Sequence, residues 1–85
     1  MSKRRVTSRA WRPTKKLFDQ LTRRETQVMQ LMASGRTNKE ISRLLDIAVG
    51  TVKIHVHNVF EKVHPPNRVL LAIFWLKTQL RTGRH

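Results

Sequence analysis

Lys53, Ile54 and His57 sit close together in a segment whose valines repeat at helical spacing. At about 100° per residue they turn away from that apolar stripe, on a face shared with Gly50 and Glu61 and edged by Asn58. An ordinary solvated face would be expected to carry a run of Lys and Glu; this mixed set suits the edges of base pairs. Lys53 can donate to guanine O6 and N7, His57 can donate or accept, and Ile54 can meet a thymine methyl. Gly50, in the first turn, lets the backbone approach a phosphate. The free amides and positive dipole end near Thr51 favour the same anion.

Other chemistries find no support. His55 and His57 are two residues apart, so on a helix they diverge, and neither carboxylates nor thiolates stand at ligand spacing; no metal site is expected. The five carboxylates, Asp19, Glu25, Glu40, Asp46 and Glu61, fall to caps, turns or surface, and none pairs with a base in a pocket. No catalytic residue, cofactor or small-molecule ligand is therefore assigned, and no enzyme is expected. The absence of cysteine rules out a disulfide scaffold and suits a reducing compartment.

The elements that must hold these residues are short and closely spaced. Thr22-Arg23-Arg24-Glu25 is a capping box that opens a first helix, with Leu21, Val28, Leu31 and Met32 at helical spacing and Gly35 placed to stop it. Thr37-Asn38-Lys39-Glu40 is a second capping box; the helix behind it has Ile41, Leu44 and Leu45 as its expected buried face. After a turn at Asp46-Ile47-Ala48, a third helix of about residues 49–63 carries the stripe Val49, Val52, Val56, Val59, Phe60 and Val63. Pro65-Pro66 ends it, and Asn67 can cap a fourth helix from Arg68 to about Leu80. Second and third helices separated by about three residues form a helix-turn-helix. The expected fold is all-α: a small four-helix domain at residues 19–81, with a flexible basic arm at 1–18 and a tail at 82–85.

Charge and length agree with this reading. The chain has 85 residues, 18 Lys plus Arg against 5 Asp plus Glu, and a formal net charge of +13, which fits one small domain facing a polyanion. Nucleic acid or an acidic membrane surface are the leading partners. The longest apolar run, residues 69–76, is too short to span a bilayer, and no secretory signal stands at the N-terminus. Lys3, Arg4, Arg5, Arg9 and Arg12, followed by Lys15 and Lys16, lie in an acid-free stretch with few large apolar residues, so it is expected to follow a phosphate backbone rather than fold alone. An organellar transit peptide is the weaker reading of that stretch.

The fourth helix is apolar on every side. Val69, Ala72, Ile73, Leu76 and Leu80 form one stripe, expected to seat it on the core; Leu70, Leu71, Phe74 and Trp75 form another, expected to be a self-association face. The competing expectation is that Trp11 or Phe18 folds back over that second face.

Taken in order, Leu21-Thr22-x-Arg24-Glu25, Gly35-x-x-Asn38-Lys39-Glu40-Ile41, Thr51-Val52-Lys53-x-His55 and Asn67-Arg68 resemble the LuxR-type DNA-binding domain over residues 19–80, in its NarL-like branch. The resemblance implies a bacterial transcription factor in the cytoplasm, at the nucleoid. It implies a third helix in the major groove of double-stranded DNA, a homodimer formed on DNA through the fourth helix, and RNA polymerase as a further partner. Positions matching Lys53, Ile54 and His57 read bases in that family. Those at Thr51 and at the start of the second helix approach phosphates, so Thr37, Asn38, Lys39, Arg43, Gly50 and Thr51 are the candidate phosphate contacts.

Three departures stand out. Ala48 occupies the position where the family caps the reading helix with Ser or Thr, which forfeits about 1 kcal/mol. Leu70 and Leu71 replace more polar or smaller residues. The 85 residues also hold no receiver or signal-binding domain, so the chain is expected to be either a stand-alone regulator or a piece of a longer one. Two other functions compete. One is an interaction protein that sequesters a full-length family member through the fourth helix without binding DNA. The other is the DNA-recognition region of a sigma factor, where Gly50-Thr51-Val52-Lys53 also occurs; the run through His55, the Asn67-Arg68 pair and the long fourth helix argue against it.

Overall fold

Both capping boxes close as the sequence predicts. Thr22 Oγ1 accepts from the Glu25 amide at 3.1 Å while Glu25 Oε1 accepts from the Thr22 amide at 2.9 Å, and Thr37 and Glu40 repeat the pair at the same two distances. The computed structural model describes Trp11 and residues 13–82, with side chains to residue 80. These form α1 (Lys15–Phe18), α2 (Arg23–Ala33), α3 (Asn38–Leu45), α4 (Val49–Val63) and α5 (Arg68–Thr82), with no strand among the described residues. Thus α2 to α5 are the four expected helices, and α1 is one turn more. None is long and apolar enough to cross a membrane.

Each helix stops for a local reason. Gly35 takes φ 87°, and its amide bonds Met32 O at 3.0 Å while the Arg36 amide bonds Leu31 O at 3.0 Å, a Schellman closure of α2. Asp46 adopts φ 56° after α3, and His64 φ 52° after α4, ahead of the two prolines. Asn67 Oδ1 accepts from the Leu70 amide at 2.9 Å and so caps α5 as expected.

The core gathers where α4 lies on α2 and α3, and α5 lies on α2. Val28, Met29, Ile41, Val52, Val59 and Leu71 are fully buried there, with Val63 beside them. This uses the valine stripe of α4 and leaves its opposite face to solvent.

Three expectations are corrected. Leu44 is 55% exposed rather than buried; among the apolar residues of α3, Ile41 is fully buried and Leu45 only partly. On α5 the two stripes exchange roles. Leu71 and Trp75 are buried and Leu70 and Phe74 partly so, while Val69, Ile73, Leu76 and Leu80 are exposed. Aromatic area explains the choice. Phe18 meets Trp75 edge-on at 5.3 Å and Trp11 meets Phe74 edge-on at 5.1 Å, so the bulkier stripe turns inward. Hence Leu71 and Trp75 are core residues of this chain rather than an open self-association face. Trp11 and Phe18 also carry the folded unit upstream of residue 19 into the stretch expected to be arm. Lys3, Arg4, Arg5, Arg9 and Arg12 lie outside the described residues, as do residues 83–85.

Candidate nucleic-acid interface

Burying Val52, Val59 and Val63 rotates the rest of α4 outward. Lys53 and His57 are exposed, Ile54 is 59% exposed, and Gly50 and Glu61 share the open face. Three residues chosen by periodicity therefore do lie together. Ile54 is a large apolar side chain left open between two exposed polar ones, so this face can offer an apolar contact beside hydrogen-bonding groups. His57 and His55 diverge; His55 is half-buried, and its Nδ1 is buried without a partner among the described residues.

The start of α4 has no side-chain cap. Ala48 has extended geometry, φ −68° and ψ 149°, and gives no side-chain cap bond, as its apolar methyl dictates. A Cβ built on Gly50 would meet nothing within 4 Å, so packing inside the chain does not demand glycine there. Thr51 is half-buried at the same turn.

On α3, Thr37, Lys39 and Arg43 are exposed and Asn38 is half-buried. The Thr37 hydroxyl already accepts from Glu40, leaving its proton free to donate. A cleft lined by Met32, Gly35, Arg36, Thr37, Asn38 and Arg68 joins the start of α3 to the start of α5, and Asn38 Oδ1 lies buried without a partner among the described residues. Sequence reasoning missed Arg36 and Arg68 as members of this basic cleft. Arg36 could have been found as a cation immediately before a capping box; Arg68 could not, because only tertiary packing brings the start of α5 to this cleft.

Glu61 stays on the open face of α4, whereas two other acidic groups are held by contacts within the chain. Glu40 closes its capping box, and Glu25 is buried against Lys62, with Nζ to Oε1 at 2.7 Å. Burial alone would push the Glu25 carboxyl up, but the Lys62 bond, the Thr22 amide and hydroxyl and the Lys62 charge together outweigh it, so it lies below its ordinary value. The pair ties the last turn of α4 to the first turn of α2.

A trihelical core with α3 and α4 joined across Asp46-Ile47-Ala48 and a polar, partly apolar face on α4 defines a helix-turn-helix domain of the DNA-binding class. Residues 19–75 match the family of bacterial regulatory proteins known as the luxR family, and the chain belongs to it. It is 43% identical over 68 residues to an uncharacterized transcriptional regulatory protein, YhcZ, of Bacillus subtilis, covering 80% of this chain and 32% of that protein. It is 41% identical over 61 residues to the nitrate/nitrite response regulator protein NarL of Escherichia coli, covering 72% of this chain and 28% of that one. Among solved structures, the response regulator StyR superposes with a TM-score of 0.70 at 41% identity, over 74% of this chain and 32% of that chain. The chain spans about a third of the length of these relatives.

Proposed function

We propose that this chain is a sequence-specific DNA-binding transcriptional regulator that lays α4 in the major groove, with Lys53, Ile54 and His57 on base edges. The observation that carries the reading is the exposure of those three side chains on one face of a helix held by α2 and α3. Gly50, Thr51, Thr37, Asn38, Lys39 and Arg43 serve as phosphate contacts, which position without specifying. Arg36 and Arg68 extend that set into the cleft between α3 and α5. The cations upstream of Trp11 add affinity without sequence preference.

A dimer forms through α5, now by the stripe Val69, Ile73, Leu76 and Leu80, which the fold leaves exposed. Two-fold symmetry about this stripe sets two reading helices on two half-sites. The protein works in the bacterial cytoplasm, with RNA polymerase as the machinery it acts on, and carries no catalytic group.

Selection of binding sites from random duplex DNA, beside a mass measurement with and without DNA, tests both parts. A bipartite consensus and a dimeric mass are expected; the same affinity for all sequences sinks the reading. The exposed α5 stripe also suits capture of a full-length family member without DNA contact. That reading gains only if Lys53→Ala and His57→Ala leave activity in cells intact while Leu76→Asp removes it.

A further inference from the structure

The helices α4 and α5 both rest on α2, and only His64, Pro65, Pro66 and Asn67 connect them. Trp11 bridges the angle between the two. Its Nε1 donates to Val63 O at 3.1 Å, a last-turn carbonyl that has no acceptor role left within the helix. Its ring meets Phe74 of α5 edge-on, at 5.1 Å and 81°. Only 5% of the residue is exposed. Phe18 makes the same edge-on contact with Trp75 one position further along α5, so the Trp11 and Phe18 rings together form a strap against α5 that Trp11 ties to α4.

Two surfaces depend on the angle that the strap spans. One is the reading face at Lys53, Ile54 and His57 on α4; the other is the exposed stripe at Val69, Ile73 and Leu76 on α5. In a two-fold dimer through α5, the separation and rotation of the reading faces follow from that angle, and symmetry doubles any change in it. We propose that Trp11 is a positioning residue for DNA recognition: by tying Val63 to Phe74 it fixes the α4–α5 angle and with it the half-site spacing that the dimer accepts. The inference rests on the dimeric DNA reading proposed above.

The test uses the full 85-residue chain and duplexes bearing two copies of the half-site selected from random DNA. Centre-to-centre spacing is varied from about 9 to about 13 base pairs around one helical turn, and a duplex with a single half-site is included. Trp11→Phe keeps a ring and loses the N–H; Trp11→Ala loses both. Preference for the best spacing over its neighbours falls about tenfold in Trp11→Ala and about threefold in Trp11→Phe, the scale of one buried hydrogen bond. Single half-site affinity changes less than about twofold, and circular dichroism at the assay temperature keeps its helical signal.

A peaked wild-type profile that persists unchanged in both variants overturns the proposal. So does an equal loss on every duplex, the single half-site included, since that reports only a weakened fold. Should Trp11→Ala fail to fold, the Trp11→Phe profile decides by the same criteria. A flat wild-type profile overturns the dimeric reading itself, and the role of Trp11 with it.

Discussion

Lys62 Nζ lies 2.7 Å from Glu25 Oε1, and the same carboxylate oxygen accepts the Thr22 amide at 2.9 Å. One buried oxygen thus closes the capping box of α2 and holds the last turn of α4. The contact makes helix capping and the orientation of α4 a single structural event.

Stability should follow the ionisation of Glu25. Its carboxyl lies below the ordinary range of a glutamate, so its contribution is complete above that range and is lost as pH falls through the lower, folded-state value. Lys62→Met leaves the buried carboxylate unpaired and should cost about 1–3 kcal/mol at pH 7, less under acid, where the group is neutral. Urea denaturation of both proteins from pH 7 to pH 3 checks this; a cost that stays the same across that range would falsify the linkage.

Glycine at position 50 is expected to serve DNA rather than the fold. Gly50→Ala meets open space and should raise stability by about 0.5–1 kcal/mol while weakening binding to every DNA sequence. Ala48→Ser offers the missing cap bond and should raise stability by about 1 kcal/mol. Thermal melts paired with binding isotherms separate the two. If Gly50→Ala binds as tightly as the wild type, close phosphate approach at this turn is wrong.

Salt and sequence should partition between different residues. Deleting residues 1–10 removes Lys3, Arg4, Arg5 and Arg9, and should weaken binding to all sequences alike while lowering the salt slope by up to about 0.9 per lost phosphate contact. Lys53→Ala and His57→Ala should instead relax preference at particular base pairs, by about 1–3 kcal/mol each. Titrations at several salt concentrations on matched and mismatched duplexes read both effects. An unchanged slope after the deletion rules out phosphate contact by that segment.

Opposite faces of α5 should fail differently. Leu76→Asp, on the exposed stripe, is expected to leave the monomer folded and lower its mass on DNA from dimer to monomer. Leu71→Ala, at a fully buried site, should cost about 2–5 kcal/mol of folding stability. Circular dichroism and mass measurement together distinguish them, and a Leu76→Asp protein that remains dimeric on DNA would place the interface elsewhere.

The sequence by itself determined helices α2 to α5 and the solvent-facing side of α4. Capping boxes at Thr22 and Thr37 and the Asn67 cap are local chemistry, complete within four residues. The valine stripe of α4 has one apolar side, so its period alone turned Lys53, Ile54 and His57 outward. On α5 no such asymmetry exists, because apolar residues surround the helix. Which side entered the core goes with Trp11 and Phe18, whose fold-back the sequence offered only as the competing expectation, and whose rings meet Phe74 and Trp75. The basic cleft of Arg36 and Arg68 was likewise settled only when packing on α2 brought the start of α5 to the junction of α2 and α3. Periodicity reports a face when a helix has just one to hide; with two, the decision belongs to the distant residues that fit against it.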